Sequence, residues 1–323
     1  MTDRPSVLIV SARDDWSAAQ VADQLAVRGV RWAWLDPGDF PQRVRLTGRL
    51  VDTGWAVRAS HDTNGTVDVG AVRAVFYRRP GDFRMPAGMS GPEQRFARAQ
   101  ARIGVGGLLA SLPARWINHP SALADHEYKP RQLALASAVG LAVPATVITN
   151  DPGEVRAFAD DVGELIVKPL ADPLVAEAGT YTPVWTRRLT AADLADLAGV
   201  ETTAHLFQAW INKRHEVRLI AVGHTLFPVA IHAGSHAARI DWRADYDALR
   251  YEPTECPTHV AEAVHHYLTA ASLIYGAFDF AVDHDGVWWL LECNAAGQWG
   301  WLAEECDLPI AAALADNLIG ATT

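Results

Sequence analysis

Lysine is nearly missing from this chain of 323 residues: of 28 basic residues, only Lys129, Lys168 and Lys213 are lysines. Where arginine is the default surface cation, a retained lysine marks a position that needs a compact ammonium rather than a planar fork. Cysteine is also scarce. Cys256, Cys293 and Cys306 form no C-x-x-C pair and leave an odd one over, which argues against a disulfide framework and for a reducing, cytoplasmic compartment. Long apolar runs are absent too. The longest, "LALASAVGLAVPATVI", falls short of the ~20 residues a membrane span needs and contains Gly140 and Pro144. The opening "MTDRPSVLIVSARDD" has too short an apolar core for a signal peptide, so no membrane association is expected. No cluster of basic residues breaks the net charge of −10, which speaks against nucleic acid. No G-x-G-x-x-G follows the first strand, so a dinucleotide fingerprint is missing.

What remains is a composition with 50% hydrophobic and 20% charged residues, that of a globular protein with a sizeable core and about two domains. The beginning reads β-α-β: "SVLIVS" as a buried strand, "SAAQVADQLAVRG" as a helix and "RWAWLD" as a strand. "AVRAVFYRRP" follows as a strand and "GPEQRFARAQARIGVGGLLASL" as a helix, giving an open α/β layer over 1–118. A second unit, 119–204, alternates helices and strands: "PRQLALASAVG", "AVPATVITN", "DPGEVRAFADDVG", "ELIVKPL", and a short helix capped by Thr190. The third, 205–323, begins with strands that read as antiparallel, "AHLFQAWIN", "HEVRLIAVG" and "TLFPVAIHAGS". A helix, a hairpin and a closing helix complete it.

That hairpin, "AFDFAVDHDGVWWLLECN", poses a chemical question. A two-residue Asp285-Gly286 loop would pair His284 with Val287 and set Asp279 opposite Glu292. Asp279, Ala281, Trp288, Leu290, Glu292 and Asn294 would then share one face. Opposed like charges destabilise a strand pair. A divalent cation held by the two carboxylates and the amide would compensate, since Mg²⁺ takes such oxygens and keeps other positions for water and phosphate. A solvated hairpin, or one acid protonated by its neighbour, are the alternatives.

In order, the chain offers a lysine before a helix, a lysine ending a strand, the linker "QAWI", an acid five residues on, a strand acid and "ECN". This series resembles the ATP-grasp superfamily over residues 75 to 320. "INHP", "IVKPL", "QAWINKRHEVRLIAVG", "IDWR" and "LECNAAGQWGW" are similar to the ATP-grasp ribosomal peptide maturases, the graspetide synthetases. The resemblance implies a mixed α/β (α+β) ATP-grasp fold: a pre-ATP-grasp domain over 1–118, a central subdomain over 119–204 and a C-terminal subdomain over 205–323. It also implies an ADP-forming ligase that activates Asp or Glu side chains of a precursor peptide and closes them onto Thr, Ser or Lys. Two further readings stay open: a ligase adding a free amino acid to a small molecule or protein tail, and a non-catalytic nucleotide- or peptide-binding protein.

Residue by residue, the resemblance implies that Lys129 and Lys168 meet the phosphates of ATP and that Gln208, Ala209, Trp210 and Ile211 meet adenine. Glu216 would take the ribose, and Asp279, Glu292 and Asn294 one or two Mg²⁺. Arg218 would approach the acyl phosphate, with Asp241 and Arg243 of "DWR" near the acceptor carboxylate. A docked leader segment and a homodimer are implied as well. Local pairing explains Glu216 beside Arg214 or Arg218, and a surface ion-pair cluster explains "DWR", equally simply. Lys213 reads as a solvated loop residue, Cys293 as a buried structural thiol, and Trp299 and Trp301 as packing. The loop after Lys168 offers only Gly179 where a phosphate-covering loop is commonly glycine-rich.

Overall fold

The computed structural model describes residues 6–52, 54–63, 65–171, 174–177 and 180–320; Gly179 of the loop after Lys168 lies outside them. The first apolar run forms β1 (Val7–Val10), buried along its whole length. α1 (Trp16–Val27) starts at Asp15, whose carboxylate accepts from the Ala18 N–H. β2 (Trp32–Leu35) follows. Next come β3 (Val44–Val51), β4 (Gly54–His61) and β5 (Gly65–Asp68), a three-stranded antiparallel sheet not expected from the sequence. β6 (Ala74–Tyr77), α2 (Gly91–Ala110, with a Ser90/Glu93 capping box) and β7 (Arg115–Ile117) complete a parallel sheet of order β2-β1-β6-β7. Its two faces sort by alternation. Val7 and Ile9 pack with α1, and Leu8 and Val10 pack with Val105 and Leu109 of α2.

The middle of the chain supplies α3 (Pro120–His126), α4 (Lys129–Ala138), β8 (Thr146–Thr149), α5 (Pro152–Val162) and β9 (Leu165–Lys168). β10 (Leu174–Glu177) and β11 (Thr180–Pro183) pair with each other; β12 (Arg187–Arg188), α6 (Ala191–Ala195) and β13 (His205–Ala209) follow. β9 and β13 are the inner strands of a small antiparallel sheet, β12-β9-β13-β8. Thr190 caps α6 as its sequence implies.

A larger antiparallel sheet, β16-β15-β14-β17-β18, closes the molecule. It contains β14 (Lys213–Val222), β15 (Thr225–Ala233), then, beyond α7 (His236–Ile240), β16 (Leu249–Pro253). Beyond α8 (Thr258–Ala270) come β17 (Tyr275–Asp283) and β18 (Trp288–Asn294), followed by α9 (Gly300–Glu305) and α10 (Ile310–Ile319). α10 packs on α1, so one core joins Val7 and Ile9 of the first sheet to Ile220, Val222 and Leu314 of the last third. A second core puts Ala136 of α4 and Val264 of α8 against Phe278 and Phe280.

The β17–β18 hairpin departs from its expected register at the tip. The Asp283 N–H bonds to Val287 O, so the loop is three residues, His284–Gly286, rather than two. Val282 pairs with Trp288 and Phe280 with Leu290, and a bulge at Leu291 then restores Asp279 opposite Glu292. Trp288 and Leu290 therefore lie in the core with Phe280 and Val282, not on the acid face. Two one-residue shifts of opposite sense cancel at the acids.

Candidate functional site

A cleft opens between the small sheet and the large one. Ile166, Lys168 and Gln208–Ile211 line it from one side; Glu216, Asp279, Ala281, Leu291 and Glu292 line it from the other. Lys129, at the first turn of α4, and the Ile240–Arg243 segment close its ends. All three lysines of the chain are in this lining. Arginine serves the rest of the surface, so the lysines are concentrated where point charges are gathered.

The opposed acids are wrapped in cations. Lys129 Nζ lies 2.6 Å from Glu292 Oε2, Arg243 Nη1 lies 3.7 Å from Glu292 Oε1, and the Asn294 amide donates to Glu292 Oε1 at 3.2 Å. One Arg218 nitrogen, Nη1, spans both oxygens of Asp279, at 2.9 and 3.0 Å. Burial alone would raise the Glu292 carboxyl, but Lys129, Arg243 and Lys168 outweigh it and hold it below the usual carboxylate range. Burial, helped by facing Glu292 and opposed by Arg218, raises Asp279. Burial likewise pushes Lys168 down to about 8, and its Nζ donates to Leu291 O at 3.1 Å. That carbonyl belongs to the bulge residue.

The residues expected beside adenine come together in the same cleft. Gln208 is fully buried and its amide donates to Thr146 Oγ1 at 2.8 Å, while Gln208 Oε1 has no partner. The N–H groups of Ala209 and Trp210 are committed to Ala145 O and Glu164 O. Trp210 carries Arg188 at 5.2 Å and Lys213 at 5.3 Å from its ring centroid. Glu216 is buried, and burial raises its carboxyl against the pull of Lys213.

Lys213 corrects its reading as a solvated residue. It opens β14, its side chain is 10% exposed, and it bonds Glu216 and Ile240 O. The rarity of lysine is the signal that could have found it. Asp241 and Arg243 form a bidentate pair, both bonds at 2.9 Å, at the cleft wall, and Asp241 also accepts from the Thr186 N–H. Burial raises Asp241, but Arg243 wins and lowers it. Arg218 shares the face of Glu216 and lies behind Asp279, outside the cleft lining, with its guanidinium 5.7 Å from the Trp242 ring. Asn294 touches the site through Glu292 and is also outside the lining. Trp299 and Cys293 are buried, and Trp301 packs on Trp242 and Tyr251. Asn118 of "INHP" is a tie: its side chain bonds the backbone of Ile274, Tyr275 and Ala295.

Among the described residues no group of three or more His, Cys, Asp or Glu forms a metal cage. The donor set at hand is two carboxylates and an amide, all oxygen-bearing, which suits Mg²⁺ with positions left for phosphate oxygens and water. It does not suit zinc or copper.

Residues 6–124 match the family model of the MvdD pre-ATP grasp domain. A RiPP-associated ATP-grasp ligase from Chryseobacterium gregarium, in complex with ADP and a leader and core peptide, superposes with a TM-score of 0.90 at 24% identity. The match covers 100% of this chain and 98% of that one. Macrocyclase MdnC of Microcystis aeruginosa MRC, bound with precursor peptide MdnA, gives 0.85 at 24% identity over 98% and 99% of the two chains. Macrocyclase MdnB of the same organism gives 0.78 at 26% identity over 97% and 98%. No curated protein sequence matches.

Proposed function

For a chain that has the ATP-grasp ligase fold and opens with an MvdD-type pre-ATP-grasp domain, we propose an ADP-forming ligase that closes side-chain rings in a ribosomally made precursor peptide. The observation that carries it is the gathering of all three lysines in one cleft with a facing pair of carboxylates, between two antiparallel sheets. Four cations (Lys129, Lys168, Lys213, Arg243) balance four acids (Glu216, Asp241, Asp279, Glu292) in the lining, and Arg218, behind Asp279, adds a fifth positive charge from outside it. A triphosphate with its metal fits such a balance.

In this reading, Lys129 and Lys168 bind phosphate oxygens, Gln208–Ile211 form the wall against adenine, and Glu216 accepts from the ribose hydroxyls. Asp279, Glu292 and Asn294 would hold one or two Mg²⁺, and the metal would supply charge neutralisation for the phosphates. A peptide carboxylate, oriented by Arg243 with Asp241 fixing that guanidinium, attacks the γ-phosphorus. The bond to the ADP oxygen breaks and an acyl phosphate forms. Arg218 is the cation assigned to the acyl phosphate. A Thr or Ser hydroxyl, or a Lys amine, then attacks the acyl carbon, loses its proton, and expels phosphate, so the peptide loses one water per ring. We place domain boundaries near residue 118 and, because β13 belongs to the small sheet, past residue 209 rather than at the expected 204, with a leader-bearing peptide as partner, a homodimer as the assembly and the cytoplasm as the compartment. Among the described residues no helix is long and apolar enough to cross a membrane.

The test incubates the purified chain with Mg²⁺, ATP and a short peptide whose C-terminal half is acidic and Thr-rich, encoded beside it. The peptide's intact mass is the readout. Loss of one water per ring with matching ADP release, abolished in Glu292→Gln, supports the reading. ADP release with a mass gain favours amino-acid addition, and ATP binding without ADP removes the catalytic claim.

A further inference from the structure

We propose that Arg78, on the N-terminal parallel sheet and outside the cleft, is a positioning residue for this reaction. It sets the loop 295–299, whose Gln298 carbonyl holds Arg218 on Asp279. The proposal rests on the ligase reading given above.

Arg78 follows β6 and is 2% exposed. Its Nε donates to Asp15 Oδ2 at 3.0 Å. Asp15 is fixed in turn, accepting from Ser11 Oγ at 3.0 Å and from the Ala18 N–H at 3.2 Å. The other two guanidinium nitrogens reach across to the far end of the chain. Nη1 donates to Gly297 O at 2.9 Å and Ala296 O at 3.4 Å, and Nη2 donates to Gln298 Oε1. A planar fork can serve those acceptors together, whereas an ammonium on a flexible stem would hold them less firmly.

The loop it grips runs between two fixed points, Ala295, whose carbonyl accepts from the Asn118 amide, and the buried Trp299; the small residues Ala296 and Gly297 between them are held through their carbonyls. Its Gln298 carbonyl accepts from Arg218 Nε at 3.2 Å and from Nη2 at 3.0 Å. The remaining Arg218 nitrogen is the one on Asp279. All three guanidinium nitrogens are thus committed, two of them to one main-chain oxygen. The approach is close: a Cβ at Gly297 would stand 3.0 Å from Arg218 Nη2 and 2.6 Å from Ala277 Cβ. Tyr275 Oη also donates to Gly297 O, at 2.8 Å. When the loop shifts, the carbonyl that aims Arg218 shifts with it. The N-terminal domain therefore contributes to the aim of a site residue it never touches.

Two variants separate this role from plain stability. Arg78→Lys keeps the buried charge beside Asp15 and loses the fork. Gln298→Ala removes one handhold of Arg78 and leaves the buried pair alone. With ATP, Mg²⁺ and the ring-forming peptide, both are expected to lower kcat by about 10- to 100-fold while KM for ATP stays within about twofold, a misplacement effect. The second readout needs no turnover. In ¹⁵N spectra, solvent exchange of the Arg218 Nε–H is expected to rise about tenfold or more in both variants, with the Arg243 Nε–H, bonded to Asp241, unchanged. Unchanged Arg218 exchange, or a kcat that falls only with the folded fraction, overturns the proposal. If the wild type releases no ADP with peptide, the ligase reading fails, and the exchange rates still decide whether Arg78 holds Arg218.

Discussion

Asp36 in the N-terminal domain and Asp279 in the cleft are both buried aspartates, 4% and 6% exposed, yet they are satisfied in opposite ways. Asp36 accepts from three backbone N–H groups, of Arg13 at 3.1 Å, Gly38 at 2.8 Å and Gly81 at 3.2 Å. A Cβ at Gly81 would come within 2.5 Å of its Oδ1, so the chain is built around that carboxylate. Asp279 accepts from the Arg218 guanidinium, and Glu292 is held by the side chains of Lys129, Arg243 and Asn294. Backbone donors cannot move without local unfolding. A side-chain cation such as Lys129 can turn to a phosphate and leave the Glu292 oxygens to a metal. A buried acid pinned by the main chain is architecture; one held by movable cations is available for chemistry.

The largest effect expected from this contrast is in Glu292→Gln. Turnover should fall about a thousandfold, or about 4 kcal/mol in barrier, with little loss of stability; a variant that unfolds instead would put Glu292 in the class of Asp36. Asp36→Ala should do the reverse. Three N–H groups lose their acceptor, and urea unfolding should show a loss of about 3 kcal/mol with activity per folded molecule unchanged.

His126 extends the fixed class to a base. It is buried on Tyr267 Oη at 3.2 Å, and burial lowers it to about 4. The unfolded imidazole takes a proton near 6.5, so stability is full above that pH and drains away as pH falls toward 4. Between pH 7 and pH 5 the loss should be about 2 kcal/mol, and His126→Gln should flatten that slope. Lys168 carries the smallest effect and two signs. With its folded value at about 8 and its unfolded one at 10.5, the unfolded chain holds more protons in between, so the stability of the ligand-free protein rises with pH across that window. Its affinity for ATP should meanwhile drop about tenfold per pH unit above 8. Calorimetric titration at pH 7 and pH 9 reads the second trend, and Lys168→Met should abolish both.

How much of this was legible depended on the range of the interaction. The facing of Asp279 and Glu292 was expected from a two-residue loop and is reached by a three-residue loop and a bulge that cancel, while Lys129 and Lys168, at a helix start and a strand end, were placed by the resemblance. The faces of Trp288 and Leu290 were misassigned because a bulge has no residue-type signature of its own. Lys213 was misread because what buries it, Trp210, Glu216 and Ile240 O, is assembled by strand and helix geometry that local polarity does not encode. Arg78 gives no local sign of its role: its partners on the 295–299 loop lie about 220 residues away, and nothing near it says so. The β3–β5 sheet passed unseen because its strands alternate with little apolar contrast.

The concentration of lysine has a practical side. Apart from the α-amino group, every amine on this chain opens into one cleft, so an amine-acylating reagent should report on that cleft and nowhere else. Lys168, with its value near 8, should be the first of the three ε-amines to react as pH rises. Counting acyl groups by intact mass, with and without nucleotide, would then give site occupancy directly on the native chain, with no tag and no engineered probe.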